Sequence, residues 1–228
     1  KLLNVPQRVR FRVSGRLRSR WMTILSSLQL AHMKTRCRIL PRKYFNRPTL
    51  TVAKSLIGKY LVRVVDDRIL AGKIVEVEAY VGSQDRACHA AKGRTQRTEV
   101  MFGPAGVAYV YLIYGMYHCL NVVTEREEFP SAVLIRAIEL DGKLIDGPGR
   151  LCRALQIDRC LNRADLTIGE SIWFEDRGEL VKKGEVGAHP RIGVDYAGKW
   201  AKKLWRFRLR AAAVPTRIRR TNIQKGTG

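Results

Sequence analysis

The clearest pattern along the chain lies at 69–81, where Val75, Val77, Ala79 and Val81 alternate with Glu76, Glu78 and Tyr80. A period of two predicts a β-strand with the aliphatic side chains on one face and Glu78 and Tyr80 together on the other. Upstream, Pro48-Thr49 opens a segment in which Leu50, Ala53, Leu56, Ile57, Tyr60 and Leu61 fall on one face of an amphipathic helix. A polar, glycine-containing loop follows the strand at 82–99. The uncharged run 107–123, with Gly115 near its centre, then predicts two strands and a turn. A further strand is expected at Ala132–Leu140. Gly147-Pro148-Gly149 precedes a short helix carrying Leu151, Ala154 and Leu155, and strands at 171–175 and 204–210 close the patterned region. Strands and helices do not alternate strictly, and no internal repeat is visible. The fold class expected is therefore mixed α+β, one domain over 39–210 built on a curved sheet flanked by helices, and not a doubly wound fold.

Composition supports a folded core: 46% of residues are apolar and 28% charged, which excludes wholesale disorder. The formal charge is +23, and its placement matters more than its size. Residues 1–65 hold 16 Lys and Arg and no acid, and residues 199–228 hold 10 and no acid, so the middle of the chain is close to neutral. Nucleic acid is the expected polyanionic partner, since each phosphate neutralised releases counterions. An anionic membrane surface competes with it. In residues 1–38, arginines from Arg8 to Arg20 alternate with apolar and small residues. Three readings stand for that extension: an organellar targeting segment, a disordered nucleic-acid arm, or translated upstream sequence without a role. Residues 211–228 form a second basic tail.

Val100–Thr124 contains no formally charged residue and is long enough to raise a membrane span. Its tyrosines, His118 and Asn121 fit paired strands better, so no span is predicted. The 5 cysteines include no CxxC pair, which argues against a disulfide framework or zinc site and for a reducing compartment. Cys88, His89, His118 and Cys119 could be imagined as metal ligands. Strand alternation, however, puts His118 on the face opposite Cys119 and Asn121. Neither metal nor cofactor is expected.

Candidate chemistry begins with Glu78, a carboxylate beside Tyr80 on one strand face. Taken alone, such a residue is more often solvated or paired than catalytic. His89, in a loop, has an ordinary structural reading too. Arg136 interrupts the apolar run Ala132–Ile138 and needs a partner if buried; a Glu–Arg pair is the economical choice, and a paired Glu in a cleft can hold a water for general-base attack. The tyrosines are more telling. Four of the 8 fall between Tyr109 and Tyr117, which core packing does not require, and flat aromatic faces are what grips an unstacked base.

Several motifs in one order carry a specific resemblance: Val75-Glu76-Val77-Glu78-Ala79-Tyr80, then His89, then Tyr109 to Tyr117 with Asn121, then Leu134-Ile135-Arg136-Ala137, then Gly147 to Cys152. From about Leu40 to Arg210 the chain resembles the alkyladenine (3-methyladenine) DNA glycosylases, the monofunctional base-excision family without a helix-hairpin-helix. The resemblance implies a single mixed domain with a curved antiparallel sheet and a protruding β-hairpin that intercalates into DNA. It implies Glu78 as the general base that activates water, with Arg136 helping to hold that water. Tyr80, His89 and Tyr111 would line the pocket and stack on the flipped base. Tyr114 would wedge into the duplex at the hairpin tip, with Met116 packing on the disturbed base pairs. Asn121 would form the pocket floor, opposing the exocyclic amine of guanine, with Leu134 on the same wall. The connection Ile138–Asp146 is shorter than family members generally carry there.

The implied partner is double-stranded DNA containing alkylated or deaminated purines, bound by a monomer in an intracellular, DNA-associated setting whose compartment stays open. Cationic alkylated purines would gain roughly 0.5–2 kcal/mol from cation–π attraction in the aromatic pocket. The reading that competes is a non-catalytic basic nucleic-acid-binding protein, and behind it a peripheral membrane protein. Glu78 beside the aromatic cluster separates the first two, because a phosphate binder gains nothing from a carboxylate there.

Overall fold

A computed structural model describes residues 37–210 apart from Lys183; the basic extension up to residue 36 and the tail 211–228 lie outside the described residues. In chain order the elements are β1 (Arg38–Ile39), α1 (Arg42–Phe45), α2 (Thr49–Leu56), β2 (Tyr60–Val65) and β3 (Arg68–Val81). Then come β4 (Ala108–Ile113), β5 (Tyr117–Val123), β6 (Ser131–Leu140), β7 (Lys143–Asp146) and α3 (Pro148–Ala154). β8 (Ile172–Asp176), β9 (Val186–His189) and β10 (Arg206–Leu209) complete the set, with short 3₁₀ turns between. All strand pairs in the sheet are antiparallel, in the order β1-β8-β2-β3-β6-β5-β4. The fold is mixed α+β, as the alternation of patterns predicts.

β3 organises the sheet because it is long enough to serve two neighbours on one edge. Arg68–Lys73 pair with β2, Glu76–Glu78 pair with β10, and β6 runs along the other edge. β6 forks in the same way, pairing β5 through Ala132–Leu134 and β7 through Ala137–Leu140. Between these forks the β3–β6 ladder contains two irregularities. Ile74 faces Ile138, Glu76 faces Ala137 and Val77 faces Ile135, so Val75 is an extra residue on β3 and Arg136 an extra residue on β6. The two bulges cancel, and the register beyond them is restored.

The bulge corrects one expectation. Val75 does not share the aliphatic face with Val77 and Ala79; Ile74 takes that place in the main core, because the extra residue shifts the period by one. Glu76, Glu78 and Tyr80 keep their common face. A second correction concerns the N-terminal helix. α2 stops at Leu56, Gly58 turns the chain with φ 84°, and Tyr60 and Leu61 belong to β2. Their spacing had matched a helical face by coincidence, while the β-branched run up to Val65 pairs with β3. β7 and β9 went unrecognised. The short 138–146 connection is a hairpin: Leu140 pairs with Lys143 across Asp141 and Gly142, whose φ values of 50° and 71° are those a two-residue turn needs.

The core lies between one face of β3, β6 and β5 and the helices α2 and α3, with Phe45 and Phe174 fully buried within it. A smaller apolar cluster around Val100, Met101 and Tyr109 forms where the 82–106 segment folds over the opposite side. Apart from the exposed hairpin tip at 114–117, most of the uncharged stretch is thus covered by protein. Among the described residues no helix is long and apolar enough to cross a membrane.

Gly72 marks how closely the sheet is packed. A Cβ built there would meet Ile138 Cδ1 at 2.6 Å and its Cβ at 3.0 Å. Gly72→Ala should therefore destabilise the domain by about 1–3 kcal/mol, read as a lower urea midpoint at unchanged slope; an unaltered midpoint would mean that Ile138 moves aside freely.

Candidate active site

A cavity of about 260 Å³ opens on the polar face of β3. β3 supplies Glu78 and Tyr80, β6 supplies Leu134 and Arg136, and the facing hairpin supplies Tyr111 and Asn121. The segment Ile192–Val194 forms part of the remaining wall.

Glu78 has no exposure to solvent. The Tyr80 hydroxyl donates to its Oε2 at 2.8 Å, and the Ile192 backbone N–H donates to its Oε1 at 2.8 Å. Arg136 Nη1 stands 3.6 Å from Oε1, close enough for Coulombic attraction but too far for a hydrogen bond. Burial pushes the Glu78 carboxyl above its ordinary pKa; Arg136, the Ile192 amide and the Tyr80 hydroxyl pull the other way and do not fully offset it. The result is a carboxylate more basic than usual.

Arg136 is shared. Its Nε lies 3.6 Å from Glu76 Oε1 and is buried without a hydrogen-bond partner among the described residues. Glu76, itself 1% exposed, accepts from Arg206 Nη1 at 2.8 Å and from Arg208 Nη1 at 2.9 Å. Arg208 also donates to Asp146 at 3.1 Å.

His89 Nδ1 lies 2.9 Å from the Tyr109 hydroxyl, and its ring meets Tyr111 edge-on at 4.7 Å between centroids. Burial first, then the positive charges of Arg97 and Lys92, lower its pKa to about 4, so the imidazole is neutral near pH 7. Asn121 is buried and donates from Nδ2 to the Tyr109 carbonyl at 3.1 Å. Leu134 sits directly across the ladder from Glu78. Tyr114 stands at the cavity mouth, 83% exposed, at the tip of the β4–β5 hairpin. It is held at φ 52°, a left-handed conformation that costs a non-glycine residue about 1–2 kcal/mol.

Eight of the nine residues singled out from the sequence line this one cavity; Met116 does not. It is exposed on the same turn and borders a separate groove with Tyr117 and His118. Cys119 lines the cavity while His118 lines that other groove, as the strand alternation predicts. Among the described residues no three His, Cys, Asp or Glu side chains cluster as metal ligands do.

The sequence reading missed the Ile192 amide and what holds it. Arg191, wholly buried, donates from Nη1 and Nη2 to the two oxygens of Asp85 at 2.5 and 2.8 Å, and from Nη1 to the Ala79 carbonyl at 2.9 Å. That clamp fastens the loop to β3 and brings the next amide onto Glu78. Asp85 and Arg191 are far apart in sequence, and no pattern around either singles it out.

The family model for methylpurine-DNA glycosylases matches residues 43–213. The chain belongs to that family. Among its relatives is a protein of Methanocella arvoryzae, 51% identical over 185 residues, which cover 74% of this chain and 91% of the relative. A Myxococcus xanthus protein is 51% identical over 75% of this chain and 90% of its own length. A Legionella pneumophila protein is 51% identical, covering 76% and 95%. All three are provisionally named 3-methyladenine DNA glycosylases. As a member of that family the chain is a DNA glycosylase, a DNA repair enzyme whose substrate is DNA.

The raised pKa of Glu78 has a consequence for the stability of this glycosylase. The folded state binds that proton more tightly than the unfolded chain, so Glu78 opposes folding more as pH rises from the unfolded value of 4.5 through the folded one. The Tm of Glu78→Gln should match wild type below that window and exceed it above. A wild-type advantage that grows with pH would show that its partners outweigh its burial.

Proposed function

We propose that this glycosylase rotates a damaged purine, alkylated or deaminated, out of duplex DNA into the Glu78 cavity and hydrolyses its N-glycosidic bond with a water activated by Glu78. The observation that carries this reading is a fully buried carboxylate at the wall of an aromatic cavity, with both oxygens oriented and a guanidinium 3.6 Å away. A separation of that size suits a bridging water better than a direct bond. Arg136 and Glu78 would hold the water between donor and acceptor, aimed at the anomeric carbon.

The chemistry needs water as its only co-reactant. As the C1′–N bond breaks, its electron pair leaves with the base, and positive charge develops on the sugar as in other glycoside hydrolyses. Glu78 stabilises that charge in a site shielded from solvent and accepts a proton from the water. Hydroxyl adds to C1′ and an abasic site remains. A neutral lesion leaves as an anion and takes up the proton that Glu78 received, whereas a cationic alkylated base leaves neutral and that proton passes to solvent.

Tyr80, His89 and Tyr111 provide faces for the extruded base. Asn121 and Leu134 would bound the pocket on the side where a guanine amine would project. The unstacking energy of a few kcal/mol is smallest at a damaged base. Tyr114, exposed at the tip of its turn, would fill the vacated stack, with Met116 against the neighbouring base pairs. No step calls for a second subunit, and the protein is proposed to act as a monomer. The rival reading, a non-catalytic DNA binder, leaves the burial of Glu78 without a purpose.

Glu78→Gln keeps shape and hydrogen-bonding capacity while removing charge and basicity. Single-turnover excision from a hypoxanthine-containing duplex should fall on the order of 10²–10⁴-fold, with lesion affinity nearly unchanged. Cleavage within about tenfold of wild type would remove Glu78 as the base. Tyr114→Ser should keep the wild-type Tm, because the side chain is 83% exposed, yet excise more slowly from duplex than from single-stranded DNA. Equal rates on both substrates would remove the wedge.

A further inference from the structure

Both aromatic walls of the cavity carry a guanidinium on a ring face. Arg191 Cζ lies 4.7 Å from the centre of the Tyr80 ring, and Arg97 Cζ lies 4.9 Å from the centre of the Tyr111 ring. The two cations differ in circumstance. Arg191 is paired with Asp85, which neutralises it locally. Arg97 forms no ion pair among the described residues.

Arg97 also lies outside the cavity. It lines a second groove with Arg159, Asn162 and Arg163, and that groove shares Tyr109 and Tyr111 with the cavity as a common partition. The guanidinium therefore meets Tyr111 from the groove side. A base stacked on Tyr111 from within the cavity would lie across the ring from an unneutralised positive charge.

A tyrosine ring attracts a cation at either face, but a second cation on the far side also feels the first. A positively charged alkylated purine would gain cation–π attraction from Tyr111 and lose part of it to Arg97. A neutral lesion such as hypoxanthine gains its stacking without that opposition. The field of Arg97 reaches into the cavity: it is among the causes that keep His89 neutral.

We propose that Arg97 is a specificity-determining residue that acts through Tyr111, lowering the preference of the cavity for cationic alkylated purines relative to neutral damaged ones. This qualifies the simple expectation that an aromatic pocket favours cations, and it rests on the reading that the flipped base stacks on Tyr111. Arg97 touches no reacting atom and serves as a positioning charge.

The test compares duplexes of one sequence carrying either N7-methylguanine, which is cationic, or hypoxanthine, which is neutral. Single-turnover excision is measured at saturating enzyme, which removes differences in DNA affinity. Arg97→Gln should raise the cationic-to-neutral rate ratio about three- to tenfold, a modest factor because Arg97 is solvent-exposed. Salt at about 0.5 M should shrink the gap between wild type and the variant, as expected for an exposed charge. Arg97→Lys keeps the charge and should hold the ratio within about twofold of wild type. If Arg97→Gln slows both lesions equally, Arg97 is a phosphate anchor only and the proposal is overturned; the same follows if Arg97→Lys raises the ratio as much as Arg97→Gln. Tyr111→Leu separates the two levels of the argument. Loss of excision of both lesions in Tyr111→Leu, with an unchanged ratio in Arg97→Gln, overturns the role of Arg97 alone. Wild-type excision by Tyr111→Leu overturns the stacking platform and this inference with it.

Discussion

Two carboxylates two residues apart on β3, Glu76 and Glu78, are almost completely withdrawn from water, and much of the surrounding architecture follows from keeping them charged. An uncompensated buried ion costs several kcal/mol. β10 is placed where its arginines reach Glu76, β6 contributes Arg136 between the two acids, and a clamped loop delivers one amide to Glu78. The distribution is unequal. Glu76 takes two full hydrogen-bonded ion pairs at 2.8 and 2.9 Å, while Glu78 receives one neutral hydroxyl, one amide and a distant guanidinium. Glu76 is thus a structural counter-ion, and Glu78 is left under-compensated, which fits the role of base proposed for it.

The rest of the cavity is electrically quiet by comparison. Burial holds the hydroxyls of Tyr80, Tyr109 and Tyr111 well into their neutral form, and His89 is neutral as well. Beyond Arg136, the nearest cations are either matched, as Arg191 is by Asp85, or set behind an aromatic ring, as Arg97 is. Such a site concentrates its anionic character at one oxygen pair, where low dielectric makes it count most.

How much of this could be read from the chain varies by element. The β4–β5 hairpin was legible because Gly115 sits between two alternating runs without charge, and α3 because Gly147 and Pro148 announce it. The face shared by Glu76, Glu78 and Tyr80 was legible as well, since the irregularity beside Glu76 puts its extra residue on β6 and leaves the alternation along β3 intact. The bulge at Val75 was not, because a bulge is set by the partner strand and leaves the residue types unchanged. The same limit explains the overrun from α2 into β2: Tyr60 and Leu61 continue the helical spacing that starts at Leu50, and only pairing with β3 decides that they belong to a strand. Of the site residues, those on strands were found by motif and alternation. The Ile192 amide was invisible because a backbone group has no residue signature, and its placement depends on an ion pair between segments distant in sequence.

Val75 and Arg136 give the sheet a parity rule. A strand sorts its side chains by counting in twos, and each bulge adds one to the count on its own strand. Losing Val75 alone would leave Ile74 in the core, since it would then alternate directly with Glu76 and Val77, but Arg136 would remain as an unmatched extra residue in the ladder. Losing Arg136 as well would bring the strands back into phase but take away the cation between the acids. The turns at 66–67 and 141–142 do not enter this count, because they lie at the ends of the paired strands and not inside the ladder between the bulges. The extra residue on β6 is thus the same one that carries the positive charge between Glu76 and Glu78.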